Sequence, residues 1–341
     1  MKANILTDWE KLELKEIPKP IPQNDEVLIR VIYAGVCGSD ITVFHHRHMT
    51  ATVPRIMGHE ILGVVEAINT TSPVNYKVGD RVVVHPLLDC GTCPTCLDGQ
   101  FHVCENLKIM GLHVDGAFAE YLTAETKRVF PVSEDIPDDI AILTEPLAVG
   151  FHACMRAAVQ PSEDVLVIGS GPIGILTAVT ARYFGAHVVV AEIQKNRLQL
   201  CHDFGFDTID VSQVDLVKGV LDKTNGKGFD KVFEVSASKS GYEVIPFVTK
   251  IRGTAVIVAI PSDLRAMRYN AVALKEISII GIRVHTLKDF RRSVEMMERL
   301  YRSKSIPLEK MISAVMPLEE LEKGIMLQEA GTETGKVIIR I

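Results

Sequence analysis

An α/β fold in two parts is what this sequence predicts: a β-rich first part followed by a doubly wound parallel sheet. Three observations carry that expectation. The chain has 341 residues, more than the roughly 250 to 300 at which single hydrophobic cores stop growing, so two domains are expected. Between about residues 25 and 130, short β-branched runs are separated by Gly, Pro and Asp, as in Glu26-Val27-Leu28-Ile29-Arg30-Val31 and Gly79-Asp80-Arg81-Val82-Val83-Val84. From about residue 164 to 281, apolar strands alternate with helical stretches, the pattern of successive βαβ units.

In order, the second part reads as a strand from Val165 to Ile168, a helix to Phe184, a strand from Val188 to Ala191 and a helix from Lys195 to Phe204. A strand from Thr208 to Val211 follows, then strands from Val232 to Val235, Thr254 to Ile260 and Ile277 to Ile280. The tail adds a helix from Leu287 to Arg302 and a last strand from Lys336 to Ile341. No internal repeat or low-complexity stretch interrupts this order.

Composition excludes several classes of function. Hydrophobic residues make up 47% of the chain and charged residues 23%, close to the averages for globular proteins. A net charge of −6, with Lys and Arg scattered singly, gives no electrostatic footprint for nucleic acid. No apolar run reaches the length of about 18 residues needed to cross a bilayer. The opening Met1-Lys2-Ala3-Asn4-Ile5-Leu6 lacks a secretory signal region. A cytoplasmic protein that meets neither membranes nor nucleic acids is therefore expected. Of seven cysteines, four crowd into one short stretch, which is a metal pattern and not a disulfide framework.

The segment Val165-Leu166-Val167-Ile168-Gly169-Ser170-Gly171-Pro172-Ile173-Gly174 runs from a buried strand through G-x-G-x-x-G into a helix. In that context the motif is a dinucleotide fingerprint. Gly169 makes the tight turn, Gly171 lets the backbone approach a pyrophosphate, and Gly174 allows close packing of helix on strand. Pro172 and Ile173 open the helix whose N-terminus receives the phosphate charge. Glu192, ending the next strand, is placed to accept hydrogen bonds from the adenosine ribose and to repel a 2′-phosphate, which favours NAD over NADP. Lys195 and Arg197 follow closely and pull the other way. Arg197 and Ser236 complete the expected coenzyme contacts.

Cys90, Cys93, Cys96 and Cys104 form C-x2-C-x2-C-x7-C among Gly91, Pro94 and Gly99. Four thiolates in one turn-rich loop can close a tetrahedron around a structural zinc. A second set is dispersed: Cys37 in Gly35-Val36-Cys37-Gly38-Ser39-Asp40, His59 and Glu60 in Met57-Gly58-His59-Glu60, and Glu145 in Leu143-Thr144-Glu145-Pro146-Leu147. One thiolate, one imidazole and one carboxylate make the open three-ligand shell of a catalytic zinc.

Together these stretches, with Gly79-Asp80-Arg81-Val82, Gly116-Ala117-Phe118-Ala119-Glu120-Tyr121 and Glu145-Pro146-Leu147-Ala148, resemble the zinc-containing medium-chain alcohol and polyol dehydrogenases from end to end. The resemblance implies a GroES-like catalytic domain at 1–148, a Rossmann domain at 149–285 and a return to the catalytic domain at 286–341. It implies two zinc ions per chain, with Cys37 and His59 as catalytic ligands and Glu145 in the place where simple alcohol dehydrogenases have a cysteine. Glu60 either ligates directly or bonds the shell from behind. Ser39 resembles the hydroxyl that passes the substrate proton outward. Many relatives carry His five positions after the zinc cysteine, where this chain has Thr42, so His45 or His46 is the candidate for the outer end of that relay.

What this implies is hydride transfer from a secondary alcohol to NAD, giving a ketone, by a homodimer or homotetramer. Gly111-Leu112-His113-Val114-Asp115-Gly116 and Gly281-Ile282-Arg283 look most like members acting on polyols and sugar acids such as hexonates. Arg283 either offers a bidentate fork to a substrate carboxylate or holds the coenzyme. The alternatives are an L-threonine 3-dehydrogenase, a polyol-phosphate dehydrogenase and, in another class, a zinc-bearing binding protein without chemistry.

Overall fold

A computed structural model describes every residue of the chain except 262 and 333. The chain divides into two compact units, Met1–Glu145 with Thr286–Ile341, and Pro146–His285. Among the described residues no helix is long and apolar enough to cross a membrane.

The first unit is built on a seven-stranded sheet. Its order is Val129–Pro131, Arg81–Val84, Glu60–Asn69, Glu26–Gly35, Lys336–Arg340 and Ile312–Pro317, with Tyr121–Glu125 also pairing with Glu26–Gly35. A smaller sheet joins Lys11–Glu16, Lys2–Asp8 and Arg55–Ile56. The long strand Glu26–Gly35 is the hub. Its buried face carries Val27, Ile29 and Val31 into a core with Phe44, Met57, Ile61 and Phe118. Its far end sets the site, because Gly35 pairs with Glu60 on one side and with Ile338 on the other. Residues 303 positions apart in sequence, Gly35 and Ile338, thus meet at one point of the sheet.

The second unit holds six parallel strands in the order Asp207–Asp210, His187–Glu192, Asp164–Ile168, Phe229–Glu234, Thr249–Ile257 and Ser278–Gly281. Numbered by sequence this is 3-2-1-4-5-6, the doubly wound arrangement, whose ligands bind beyond the strand ends where the order reverses. That switch lies between Asp164–Ile168 and Phe229–Glu234. Leu166, Ile168, Ala191, Ile209, Val232 and Ala255 bury the sheet under its helices. Strands buried on both faces read as near-continuous apolar runs, which is why they were visible in sequence.

Candidate active site

The dispersed ligand candidates converge at the end of the hub strand. Cys37 is the N-cap of the short helix Gly38–Phe44, and its backbone N–H donates to Oδ2 of Asp40 at 2.8 Å, which fixes the turn that presents the thiol. His59 and Glu60 enter from the start of Glu60–Asn69. One ligand atom from each of Cys37, His59 and Glu60 lies within 4.8 Å of the others. Glu145 falls outside that set. It is buried in the first turn of the helix Thr144–Arg156, and its charge still reaches His59 and Glu60.

Behind these groups stands a second layer that sequence reasoning missed. Asp40 is fully buried, accepts from the Gly58 N–H at 3.3 Å and faces Nδ1 of His59 at 3.7 Å. Burial opposes charge on His59, but Asp40, Cys37 and Glu145 outweigh it and hold its pKa well above the usual value. Lys336 donates to Oε1 of Glu60, and both side chains are almost wholly buried. For Glu60, burial and then Glu145 raise the carboxyl pKa while Lys336 lowers it, leaving it above the ordinary range. Gly35 makes the room: a Cβ there would lie 1.9 Å from Oε2 of Glu60. The sequence signal for Asp40 was its place directly after Ser39. Lys336 had none, because it opens an otherwise apolar strand.

The four proton-relay candidates end up in different surroundings. Ser39 Oγ lies 3.4 Å from Nε2 of His59, beside the ligand cluster. Thr42 turns its hydroxyl back to the Ser39 carbonyl at 2.8 Å, inside its own helix. His45 is held between Glu10 on Nδ1 and Glu329 on Nε2, the latter at 2.8 Å. His46 stacks on Trp9 with ring centroids 4.0 Å apart. Among the described residues, Thr42 alone of these three is bonded to Ser39, through its hydroxyl to the Ser39 backbone carbonyl.

Cys90, Cys93, Cys96 and Cys104 also close into one cluster, all four sulfurs within 4.8 Å of one another. Backbone N–H groups point at the sulfurs: Cys93 N to Cys90 Sγ at 3.4 Å, Cys90 N to Cys104 Sγ at 3.4 Å and Asn106 N to Cys104 Sγ at 3.3 Å. Such donors stabilise thiolates, and the backbone N–H groups of Thr92 and then Cys93 carry the Cys90 thiol down to about 5. Burial sends Cys96 the other way, to about 12. Four sulfurs this close cannot all ionise unless a cation sits among them, so the donor set fits zinc. The open site fits as well, since Oε2 of Glu60 is buried with no hydrogen-bond partner among the described residues.

In the parallel-sheet unit, Gly169 takes φ +95°, and a Cβ on it would strike Ser236 at 2.9 Å. A Cβ on Gly174 would lie 2.1 Å from the Gly169 carbonyl oxygen. Gly171, the N-cap of the helix Pro172–Tyr183, instead faces open space. Pro172 and Ile173 form the half-buried first turn of that helix. Ser236 donates through N and Oγ to the buried Glu234 at the end of Phe229–Glu234. Glu192 is buried beneath the glycine loop, Arg197 is half-buried in the first turn of Lys195–Asp203, and Arg283 is exposed after Ser278–Gly281.

A thiol and imidazole cluster with an orphaned carboxylate oxygen in one unit, and a G-x-G-x-x-G turn at a switch point in the other, are the marks of a zinc-dependent dehydrogenase that uses a nicotinamide dinucleotide. Residues 23–134 match the alcohol dehydrogenase GroES-like domain and residues 172–299 the zinc-binding dehydrogenase family. The chain is 33% identical to the 2-dehydro-3-deoxy-L-galactonate 5-dehydrogenase of Pseudoalteromonas atlantica over 93% of its own length and 92% of that protein's. It belongs to the zinc-containing medium-chain alcohol and polyol dehydrogenases. An L-threonine 3-dehydrogenase of Chromobacterium violaceum is 30% identical, with 96% of each chain covered. Two solved structures superpose over 100% of this chain and 99% of theirs: a Sinorhizobium meliloti protein bound to NADP (TM-score 0.92, 27% identity) and an Escherichia coli alcohol dehydrogenase complexed with NADH (TM-score 0.91, 26% identity).

Proposed function

We propose that this enzyme oxidises a secondary hydroxyl of a polyol or sugar acid to a ketone with NAD as acceptor. The observation that carries the reading is the cluster of Cys37, His59 and Glu60 ligand atoms within 4.8 Å, with Ser39 beside it. Cys37 and His59 would hold the catalytic zinc with a carboxylate from Glu60 or Glu145, and the four-cysteine loop a structural zinc. When bound, the metal supplies Lewis acidity that lowers the pKa of a ligated alcohol, and the dinucleotide accepts hydride.

The chain's own residues do the rest. Asp40 orients His59 through its Nδ1 side, leaving Nε2 for the metal. Lys336 and Gly35 fix Glu60. The Ser39 hydroxyl, next to the ligating face of His59, is the group that takes the alcohol proton outward. NAD is favoured over NADP by the negative charge of Glu192, whose carboxyl pKa hydrogen bonding holds low against its burial. A sugar acid is favoured by the sugar-acid relative, with Arg283 as the cation for either its carboxylate or the dinucleotide. Assembly as a homodimer or homotetramer goes with this reading.

The test is NAD reduction by zinc-loaded enzyme over polyols, aldonates and L-threonine. Turnover of an aldonate or polyol well above L-threonine supports the reading. Turnover of L-threonine alone rejects it in favour of the threonine dehydrogenases.

A further inference from the structure

One guanidinium ties the four-cysteine loop to the main sheet. Arg128 is 2% exposed, and its backbone belongs to the sheet: its carbonyl accepts from the His85 N–H at 2.8 Å, and the next residue, Val129, pairs with Val84. Its side chain donates through Nη2 to Oδ1 of Asp89 at 2.7 Å. Asp89 stands directly before Cys90, whose backbone N–H donates to Cys104 Sγ at 3.4 Å. Two hydrogen bonds and one peptide thus lead from the sheet to two of the four sulfurs. The other guanidinium contacts are looser: Nη1 lies 3.4 Å from Nδ1 of His85, and Nε lies 3.3 Å from Oε2 of Glu125, which Lys127 holds at 2.8 Å. The base of the loop is also fastened by a ladder of two residue pairs, Leu87 with Ile109 and Leu88 with Lys108. A two-stranded pairing is marginal in water by itself, so the buried Arg128–Asp89 bond is the firmer tie. Charge points the same way. Four thiolates around one zinc ion make a negative cluster, and Asp89 adds a carboxylate at its edge that the guanidinium neutralises.

We infer that Arg128 is a positioning residue for the metal of the four-cysteine loop: it pins the Asp89–Cys90 peptide, aims the Cys90 N–H at Cys104 Sγ and so governs how firmly the loop keeps its zinc. Cys90 is the exposed member of the set, while Cys93, Cys96 and Cys104 are buried. The loop therefore opens from the Cys90 end, where Arg128 acts. The inference rests on the reading of this loop as a zinc site and adds to it the group that holds the site closed.

The test needs no turnover: it is the rate at which zinc-loaded full-length protein gives up the loop ion to a chromogenic chelator, measured well below the melting temperature. Cys96→Ser assigns that ion, because its release phase should be missing there. Arg128→Met should speed the phase by about tenfold to hundredfold, the usual cost of losing a group that holds a metal ligand from behind. Arg128→Lys, which keeps the charge and loses the planar fork, should fall between Arg128→Met and the wild type. Asp89→Asn should also speed release, and adding it to Arg128→Met should change the rate by no more than about twofold, because both remove one contact. Leu6→Ala empties part of the core of the same unit and controls for lost stability. It should melt at a lower temperature yet release the ion within about twofold of the wild-type rate, since it lies outside the contact. An Arg128→Met rate equal to that of the wild type, or matched by Leu6→Ala, overturns the inference. So do effects of Arg128→Met and Asp89→Asn that multiply in the double variant. If Arg128→Met does not fold, Arg128→Lys and Asp89→Asn are compared with Leu6→Ala in the same way. A Cys96→Ser protein with the wild-type release phase would instead refute the zinc reading of the loop, and this inference with it.

Discussion

Lys336 and Glu60 form an ion pair in which the side chains are 3% and 1% exposed. Breaking a buried pair from one side leaves the other charge uncompensated, at a cost of about 3–5 kcal/mol. Lys336→Met should therefore lower stability in urea by an amount of that order, and Lys336→Met with Glu60→Gln should recover part of it. If the single variant unfolds at the same urea concentration as the wild type, the pair does not neutralise Glu60 as described.

Metal content separates the two cysteine sets. Protein prepared without chelator should carry two zinc ions per chain. Cys96→Ser should lose one of them and melt at a lower temperature, because a closed thiolate site contributes directly to folding. Correctly folded wild-type protein that is reproducibly free of zinc would contradict both assignments.

His45 gives the chain a pH response away from the metal. Hydrogen bonds to Glu10 and then Glu329 raise its pKa against burial and against Arg47. A raised folded pKa favours the charged ring in the native state. Its stabilisation is thus complete below the unfolded value of about 6.5 and fades as pH rises through the folded value. Melting temperatures of wild type and His45→Gln should differ most near pH 6 and converge at higher pH. A gap that widens as pH rises would show that the neutral ring is the one the fold prefers.

Arg283 is exposed, so its contribution to an anionic substrate is that of a solvated cation, about 1 kcal/mol or less. Arg283→Ala should raise KM for an aldonate by roughly fivefold at most and leave uncharged polyols nearly unaffected. Similar losses on both substrates would make Arg283 a coenzyme residue.

What the sequence disclosed follows from the range of each signal. The parallel sheet was legible because each buried strand announces itself within a few residues, and the cysteine loop because its four thiols are local. Strand ends were less so: Glu26–Gly35 runs four residues past the Val31 at which its apolar run seemed to stop, because pairing with Glu60–Asn69 and Lys336–Arg340 continues the ladder. Lys336 on Glu60 was invisible, since nothing near it names its partner, and the place of Asp40 after Ser39 gave no hint that it faces His59. Glu192 was read for its position alone, and only the coordinates show Ser170 already bonded to it.

The strand beginning at Lys336 also sets an order of events during synthesis. Glu60 and its counter-ion are separated by 276 positions, and the whole of Pro146–His285 is translated between them. Domains fold as units while the chain emerges, so the nucleotide-binding unit can be complete while the catalytic one still holds a carboxylate with no cation beside it. A chain lacking the strand from Lys336 would keep the whole of the parallel-sheet unit and leave Glu60 without the cation that faces it.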